Sequence, residues 1–205
     1  LYAEFPTNPD GEWVVLVSHF DTKPGIKCAG ANDGASTSAL LVAIADVLNN
    51  WRTPKGNVLL VWTDGEECQG ARYSEGDGLQ GSRRAVSYLQ EKKRKVKAVI
   101  CLDMLGDKEL NISIPANGSP TLRRIASLAA RRIGEPKLVK LIDERVKDDH
   151  VAFLEAGYKA IDLIDFDYGP DNAWWHTPDD TIDKISEESL LKSGRLVCEL
   201  FNILL

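Results

Sequence analysis

Trp13-Val14-Val15-Leu16-Val17 is an unbroken apolar run with no polar alternation. A strand of that kind is buried on both faces, as the strands of a parallel sheet are. Ser18-His19-Phe20-Asp21 follows it directly. Two further runs repeat the pattern. Asn57 to Trp62 leads into Asp64-Gly65-Glu66-Glu67, and Ala98 to Leu102 leads into Asp103-Met104. In an open α/β sheet, ligands bind outside the carboxyl ends of the strands. His19, Glu66, Glu67 and Asp103 are therefore expected on one edge of one sheet.

Between these runs the spacing turns helical. Leu40, Leu41, Ile44, Val47 and Leu48 place a helix over Ser36 to Leu48, with small capping residues from Asp33 to Ser36. Trp51 to Gly56 reads as a turn, and Glu67 to Gly81 as a Gly-rich polar loop. Helices are expected over Ser82 to Lys95, Pro120 to Ile133 (closed by Gly134), Asp148 to Ala156, and Ser186 to the C-terminus. Strands are expected at Lys97 to Leu102, Leu138 to Ile142 and Ala160 to Ile164. Leu110 to Ile114 alternates and reads as an edge strand. The loop from Asp165 to Asp180 carries Trp174-Trp175-His176. Strands alternating with helices predict a three-layer α/β/α sandwich with a mixed, mostly parallel central sheet.

The chain has 205 residues, 43% hydrophobic and 27% charged, which suits one globular domain spanning 1–205. A net charge of −6 argues against nucleic acid as a partner. The basic run Lys92-Lys93-Arg94-Lys95 reads as the solvated end of a helix. No apolar stretch approaches the ~18–20 residues of a membrane span. Of the four cysteines, Cys101 and Cys198 sit in apolar runs, whereas Cys28 and Cys68 lie near Asp33 and Glu67 and are candidates for a pair or for two thiols. The compartment is open from the sequence, with a secreted or periplasmic one slightly favoured.

Alone, each polar motif has an ordinary explanation. Asp33 would be a helix cap, Glu66-Glu67 a solvated loop, Asp103 a turn former, and His19 or His176 a structural histidine. Together they require five coincidences at one sheet edge. Two imidazoles and several carboxylates form a donor set that suits zinc. Adjacent glutamates can also divide labour, one holding metal and the other moving protons.

Five motifs together resemble the M28 zinc peptidase superfamily, which contains aminopeptidases and glutaminyl cyclases. They are His19-x-Asp21, Gly30-Ala31-Asn32-Asp33-Gly34-Ala35-Ser36, Asp64-Gly65-Glu66-Glu67, Leu102-Asp103-Met104 and Trp175-His176-Thr177. The resemblance runs from about Val14 to the C-terminus, and the family's usual N-terminal segment is missing from it. It implies that Asp33, Glu67 and His176 hold one zinc. In the aminopeptidases Asp33 would bridge to a second zinc held by His19 and Asp103. It further implies Glu66 as general base and acid, with Asp21 orienting His19 from behind.

Two details are similar to the cyclase branch. Trp175 directly precedes His176, and Asp148-Asp149-His150 resembles a cyclase segment in which the first Asp joins Glu66 and Asp103 in a hydrogen-bonded chain. The preferred expectation is a glutaminyl-peptide cyclotransferase acting on peptide or protein N-termini, with catalytic Glu66, Asp103 and Asp148. Trp175, with Trp174 and Phe166 as further candidates, is expected to wall the substrate pocket. An M28 aminopeptidase is the alternative, and a catalytically dead binding domain on the same fold is a third reading.

Overall fold

The computed structural model describes residues 1–51, 56–70, 73–74 and 76–205. The expected turn between Trp51 and Gly56, and part of the loop from Glu67 to Gly81, lie outside the described residues. The elements in chain order are β1 (Tyr2–Phe5), β2 (Trp13–His19), α1 (Thr37–Asn50), β3 (Asn57–Thr63), α2 (Gln80–Glu91) and β4 (Val96–Asp103). Then follow β5 (Ile112–Ile114), α3 (Pro120–Arg132), β6 (Val139–Leu141), α4 (His150–Glu155), β7 (Ala160–Ile164) and α5 (Glu187–Leu204).

The strands form one seven-stranded sheet in the order β1-β3-β2-β4-β7-β5-β6. The pairs β3-β2, β2-β4, β4-β7 and β5-β6 are parallel; β1-β3 and β7-β5 are antiparallel. Every residue of β2 is buried, as its unbroken apolar run requires. Val14, Leu16 and Ile100 pack on one face against α1, α3 and α5. Trp13, Val15 and Val17 pack on the other against α2 and α4, through Ala85, Leu89 and Phe153. The result is the expected three-layer α/β/α sandwich.

Leu110 to Ile114 is not an edge. Its strand, β5, is shortened to Ile112–Ile114 and lies between β7 and β6, with Ile112 and Ile114 fully buried. The short strand β6 covers it and takes the edge position.

The chain passes from β2 to β3 on one side of the sheet, then crosses back to β4 on the other side of β2. Neighbouring loops leave β2 and β4 in opposite directions, which opens a crevice at their carboxyl ends. His19 closes β2 and Asp103 closes β4 at that crevice. Asp33 comes from an irregular turn, Ala31–Ser36, before α1. The turn needs Gly34, which sits at φ +100°, and a Cβ there would lie 2.9 Å from the Asp21 carbonyl oxygen and 3.2 Å from His19 Cε1. Ser36 does not cap α1 through its side chain; its hydroxyl donates to the Asn32 carbonyl instead (2.7 Å).

Candidate active site and metal centre

Asp33 stands between the two histidines and faces one with each oxygen. Its Oδ1 lies 3.2 Å from His19 Nε2, and its Oδ2 lies 3.2 Å from His176 Nε2. Glu67 Oε1 is 2.6 Å from His176 Nε2, and Asp103 Oδ1 is 3.1 Å from His19 Nε2. Two groups of potential ligands thus share Asp33: Asp33, Glu67 and His176 in one, His19, Asp33 and Asp103 in the other. All five sequence-expected ligand positions meet at one place.

The protonation pattern around His19 fits a cation. Its Nδ1–H donates to the Asp21 backbone carbonyl (3.1 Å), which leaves Nε2 facing two carboxylates. A bare nitrogen lone pair there is repelled. Either a proton or a metal ion must sit between, and the donor set is one that divalent zinc accepts. With a proton there, burial opposes the charge, but Asp103, Asp21 and Asp33 outweigh it and push His19 well above the usual histidine range. Likewise burial opposes a charged His176, yet Asp33 and Glu67 raise it to about 9. Burial would raise the carboxyl of Asp33, but His176 and His19 hold it far below the ordinary carboxylate range. Carboxylates kept ionised against burial are ready metal ligands.

Asp21 does more than sit behind His19. Its carboxylate is 3.6 Å from His19 Nδ1, while its two oxygens accept the backbone N–H groups of Glu66 (3.2 Å) and Glu67 (3.1 Å). One residue thereby fixes the histidine and the two-glutamate loop together. Lys23, which lines the cavity, clamps the same loop, donating to the Cys68 carbonyl (2.7 Å) with Glu67 Oε2 at 3.6 Å. Cys28 and Cys68 do not pair. Cys28 Sγ is directed at Asp180 and Cys68 Sγ contacts Lys23 Nζ (2.9 Å).

The sequence reading missed Asp180. It is fully buried, accepts the N–H groups of Asn32 (2.8 Å) and Asp33 (3.1 Å), and accepts a hydrogen bond from the Tyr168 hydroxyl (2.7 Å). It holds the Asp33 turn in place. Met104 and His176 adopt left-handed backbone at φ 56° and 53°. For non-glycine residues each costs on the order of 1–3 kcal/mol, and such strain gathers at functional sites.

A cavity of ≈ 420 Å³ opens over the ligands and is lined by Glu66, Asp103 and Asp148 as well as Asp33, Glu67 and His176. Glu66 is partly exposed, lining this cavity. Burial pushes its carboxyl well above the usual range, the positive charge of His19 opposes this, and Asp149, Asp103 and Glu67 add to it. Burial likewise raises Asp148 strongly, reinforced by Asp162, Asp103 and Glu66. Asp148 is not a helix cap: it lies ahead of α4, and its carboxylate accepts the adjacent Asp149 N–H. Trp175 stacks on His176 with ring centroids 3.9 Å apart and 24° between planes, and Phe166 lies 4.9 Å from Trp175. Both aromatics line the cavity. Trp174 does not. It turns away onto Tyr168 (ring centroids 5.4 Å apart).

Removing the Trp175 ring takes away an apolar wall, and the face that stacks on His176, without deleting a donor atom of the ligand groups. Trp175→Ala is expected to raise KM by tenfold or more at nearly unchanged zinc content, on the order of 1–3 kcal/mol of lost apolar contact. Steady-state kinetics beside metal analysis checks it. An unchanged KM would remove Trp175 from the substrate pocket.

The sequence model of peptidase family M28 matches residues 1–201, and the chain belongs to this family. Aminopeptidase YwaD of Bacillus subtilis is 31% identical over 195 residues, covering 90% of this chain and 39% of that protein. The glutaminyl-peptide cyclotransferase of Drosophila melanogaster is 28% identical over 202 residues, covering 84% of this chain and 56% of that protein. A solved glutaminyl cyclase from an Acidobacteriales bacterium superposes with a TM-score of 0.92 at 35% identity, over 99% of this chain and 72% of that one. The chain thus spans about half the length of these curated relatives. Among the described residues no helix is long and apolar enough to cross a membrane.

Proposed function

We propose that the chain carries the catalytic machinery of a zinc-dependent glutaminyl-peptide cyclotransferase, which converts an N-terminal glutamine of a peptide or protein to pyroglutamate with loss of ammonia. The observation that carries this reading is the acid series Glu66, Asp103 and Asp148, lining one cavity beside the Asp33–Glu67–His176 group. Burial raises the carboxyls of Glu66 and Asp148, which suits a reaction that moves a proton between two nitrogens of one substrate. The likeness to the Acidobacteriales cyclase supports the same branch.

In this reading Asp33, Glu67 and His176 hold one zinc. When bound, zinc supplies Lewis acidity to the substrate's γ-amide carbonyl. The substrate's α-amine attacks that carbonyl carbon. Glu66 accepts the proton the amine loses as the C–N bond forms, then delivers it to the departing amide nitrogen, which leaves as ammonia. A raised carboxyl pKa brings Glu66 closer to the operating pH and favours both transfers. Asp103 and Asp148 support the proton on Glu66. Trp175 and Phe166 orient the side chain and exclude water that would hydrolyse the amide.

One observation favours a second reading. The hydrogen bond Asp103 makes is to His19, and His19, Asp33 and Asp103 form a second complete ligand group. A co-catalytic aminopeptidase would use it for a second zinc and would direct Glu66 at a water molecule. The two readings separate on products. Zinc-loaded protein is incubated with a Gln-initiated peptide and with a leucine anilide. The expected result is ammonia and a pyroglutamyl peptide from the first and no free leucine from the second. Release of free N-terminal amino acids without cyclisation would overturn the cyclase reading.

A further inference from the structure

The cavity over the ligands has a buried floor and an exposed rim. Asp33, Glu67, Asp103 and Asp148 are buried at its base. Phe166 and Lys147 are exposed and Tyr73 is half-buried, so these three mark the way out. An N-terminal glutamine that reaches Glu66 and the ligand group fills the floor. The rest of the peptide must leave past the rim. The residue after the glutamine, one extended step of about 3.5 Å along the chain, is the first to meet it.

Two lysines line the cavity among the described residues, and they differ in what they have left to offer. Lys23 is buried and its ammonium is engaged, with the Cys68 carbonyl at 2.7 Å, Cys68 Sγ at 2.9 Å and Glu67 Oε2 at 3.6 Å. Lys147 is exposed. Among the described residues its ammonium pairs with no carboxylate; it rests instead on the face of Tyr73, 3.5 Å from the ring centroid. The ring is itself held. Arg83 Nη2 donates to the Tyr73 hydroxyl (3.3 Å), and Arg83 Nη1 lies 3.5 Å from Glu155 Oε2. An aromatic face steadies a long cationic side chain weakly and without neutralising its charge.

The sign of the surroundings makes this cation matter. Glu66, Asp103 and Asp148 line the same cavity, and the whole chain carries a net charge of −6. Such a surface repels a peptide with an acid after its glutamine unless a cation meets that acid where it passes.

We propose that Lys147, seated on Tyr73, selects substrates with Asp or Glu directly after the N-terminal glutamine by pairing its ammonium with that side-chain carboxylate. The same charge disfavours a basic second residue. The inference rests on the cyclase reading for what occupies the floor. Lys147 touches no reacting atom. Its ion pair is the same before and during the reaction, so the preference falls on KM and not on kcat.

Three amidated tripeptides, Gln-Glu-Ala, Gln-Gln-Ala and Gln-Lys-Ala, test it. They differ only in the second residue and carry no C-terminal carboxylate. Zinc-loaded protein is expected to favour Gln-Glu-Ala over Gln-Lys-Ala by about 3- to 20-fold in kcat/KM, with Gln-Gln-Ala between them. That is the range for one exposed pair that attracts in one peptide and repels in the other. The ratio should shrink at high salt. Lys147→Gln should bring the three peptides together, Lys147→Glu should invert their order, and Lys147→Arg should keep it. Each readout is a ratio within one protein, so a general change in activity does not obscure it. If turnover is absent, titrating the same peptides into zinc-loaded Glu66→Gln reads the ratio as Kd. Equal or reversed preference in the wild type, or the same preference surviving in Lys147→Gln, would overturn the inference. The products report separately on the function. Free glutamine released from these peptides would sink the cyclase reading and leave the charge preference readable; pyroglutamyl peptides formed without that preference would sink the role of Lys147 alone.

Discussion

Glu66→Gln is expected to lower kcat by about 10²–10⁴-fold, the usual contribution of general acid–base catalysis, while leaving fold and zinc content intact. The substitution is close to isosteric. The anchors Asp21 provides reach the backbone N–H groups of Glu66 and Glu67, not the side chain of Glu66, so the loop and Glu67 stay in place. What is lost is a carboxyl that lines the cavity beside the Asp33–Glu67–His176 group without belonging to it. Burial disfavours the charge on Glu66, so removing it should not lower Tm. Ammonia release, zinc analysis and a thermal melt together check this. Turnover near the wild-type level would show that Asp103 or Asp148 carries the proton instead.

The residues that a strand delivers were legible in the sequence, because a buried parallel strand is written as an apolar run and its ligand follows at once. His19 after Val17 and Asp103 after Leu102 are of this kind. Asp33 and His176 sit on loops, where spacing alone fixes nothing, and they were reached through the resemblance of their motifs; Glu67 was placed at the sheet edge by the strand before it, and only its part as a ligand came through the resemblance. Asp180 was not reached. It is one acid in a polar loop, and its importance comes from contacts with Asn32, Asp33 and Tyr168 that only the folded chain supplies. Asp162 did carry a signal: a lone acid between Ile161 and Leu163 in a strand buried on both faces needs a partner or a proton. Edge position is decided by which strands the rest of the chain brings alongside. The alternation of Leu110 to Ile114 could not reveal that β6 covers it.

Zinc is expected to be both required and strongly stabilising, and its stoichiometry decides the reaction. Asp33, Glu67 and Asp103 crowd around two imidazoles in a largely buried site, an arrangement that a divalent ion relieves. A chelator should abolish turnover, and added zinc should restore it. Zinc at about 100 times its Kd stabilises the fold by ~2.7 kcal/mol, which for a chain of this size raises Tm by about 5–10 °C. His176→Ala should remove both the zinc and the Tm increment, because it deletes one of the three ligands in the Asp33–Glu67–His176 group. His19→Gln separates the two chemistries. In a one-zinc cyclase it leaves about one zinc per chain and the Tm increment in place, since His19 belongs only to the other group. In a two-zinc aminopeptidase it removes one of two metals bridged by Asp33 and with it the water-activating step. A fall from two zinc ions to one in this variant, accompanied by loss of amino-acid release, would transfer the assignment to the aminopeptidase and make Asp103 a metal ligand instead of a member of the proton network.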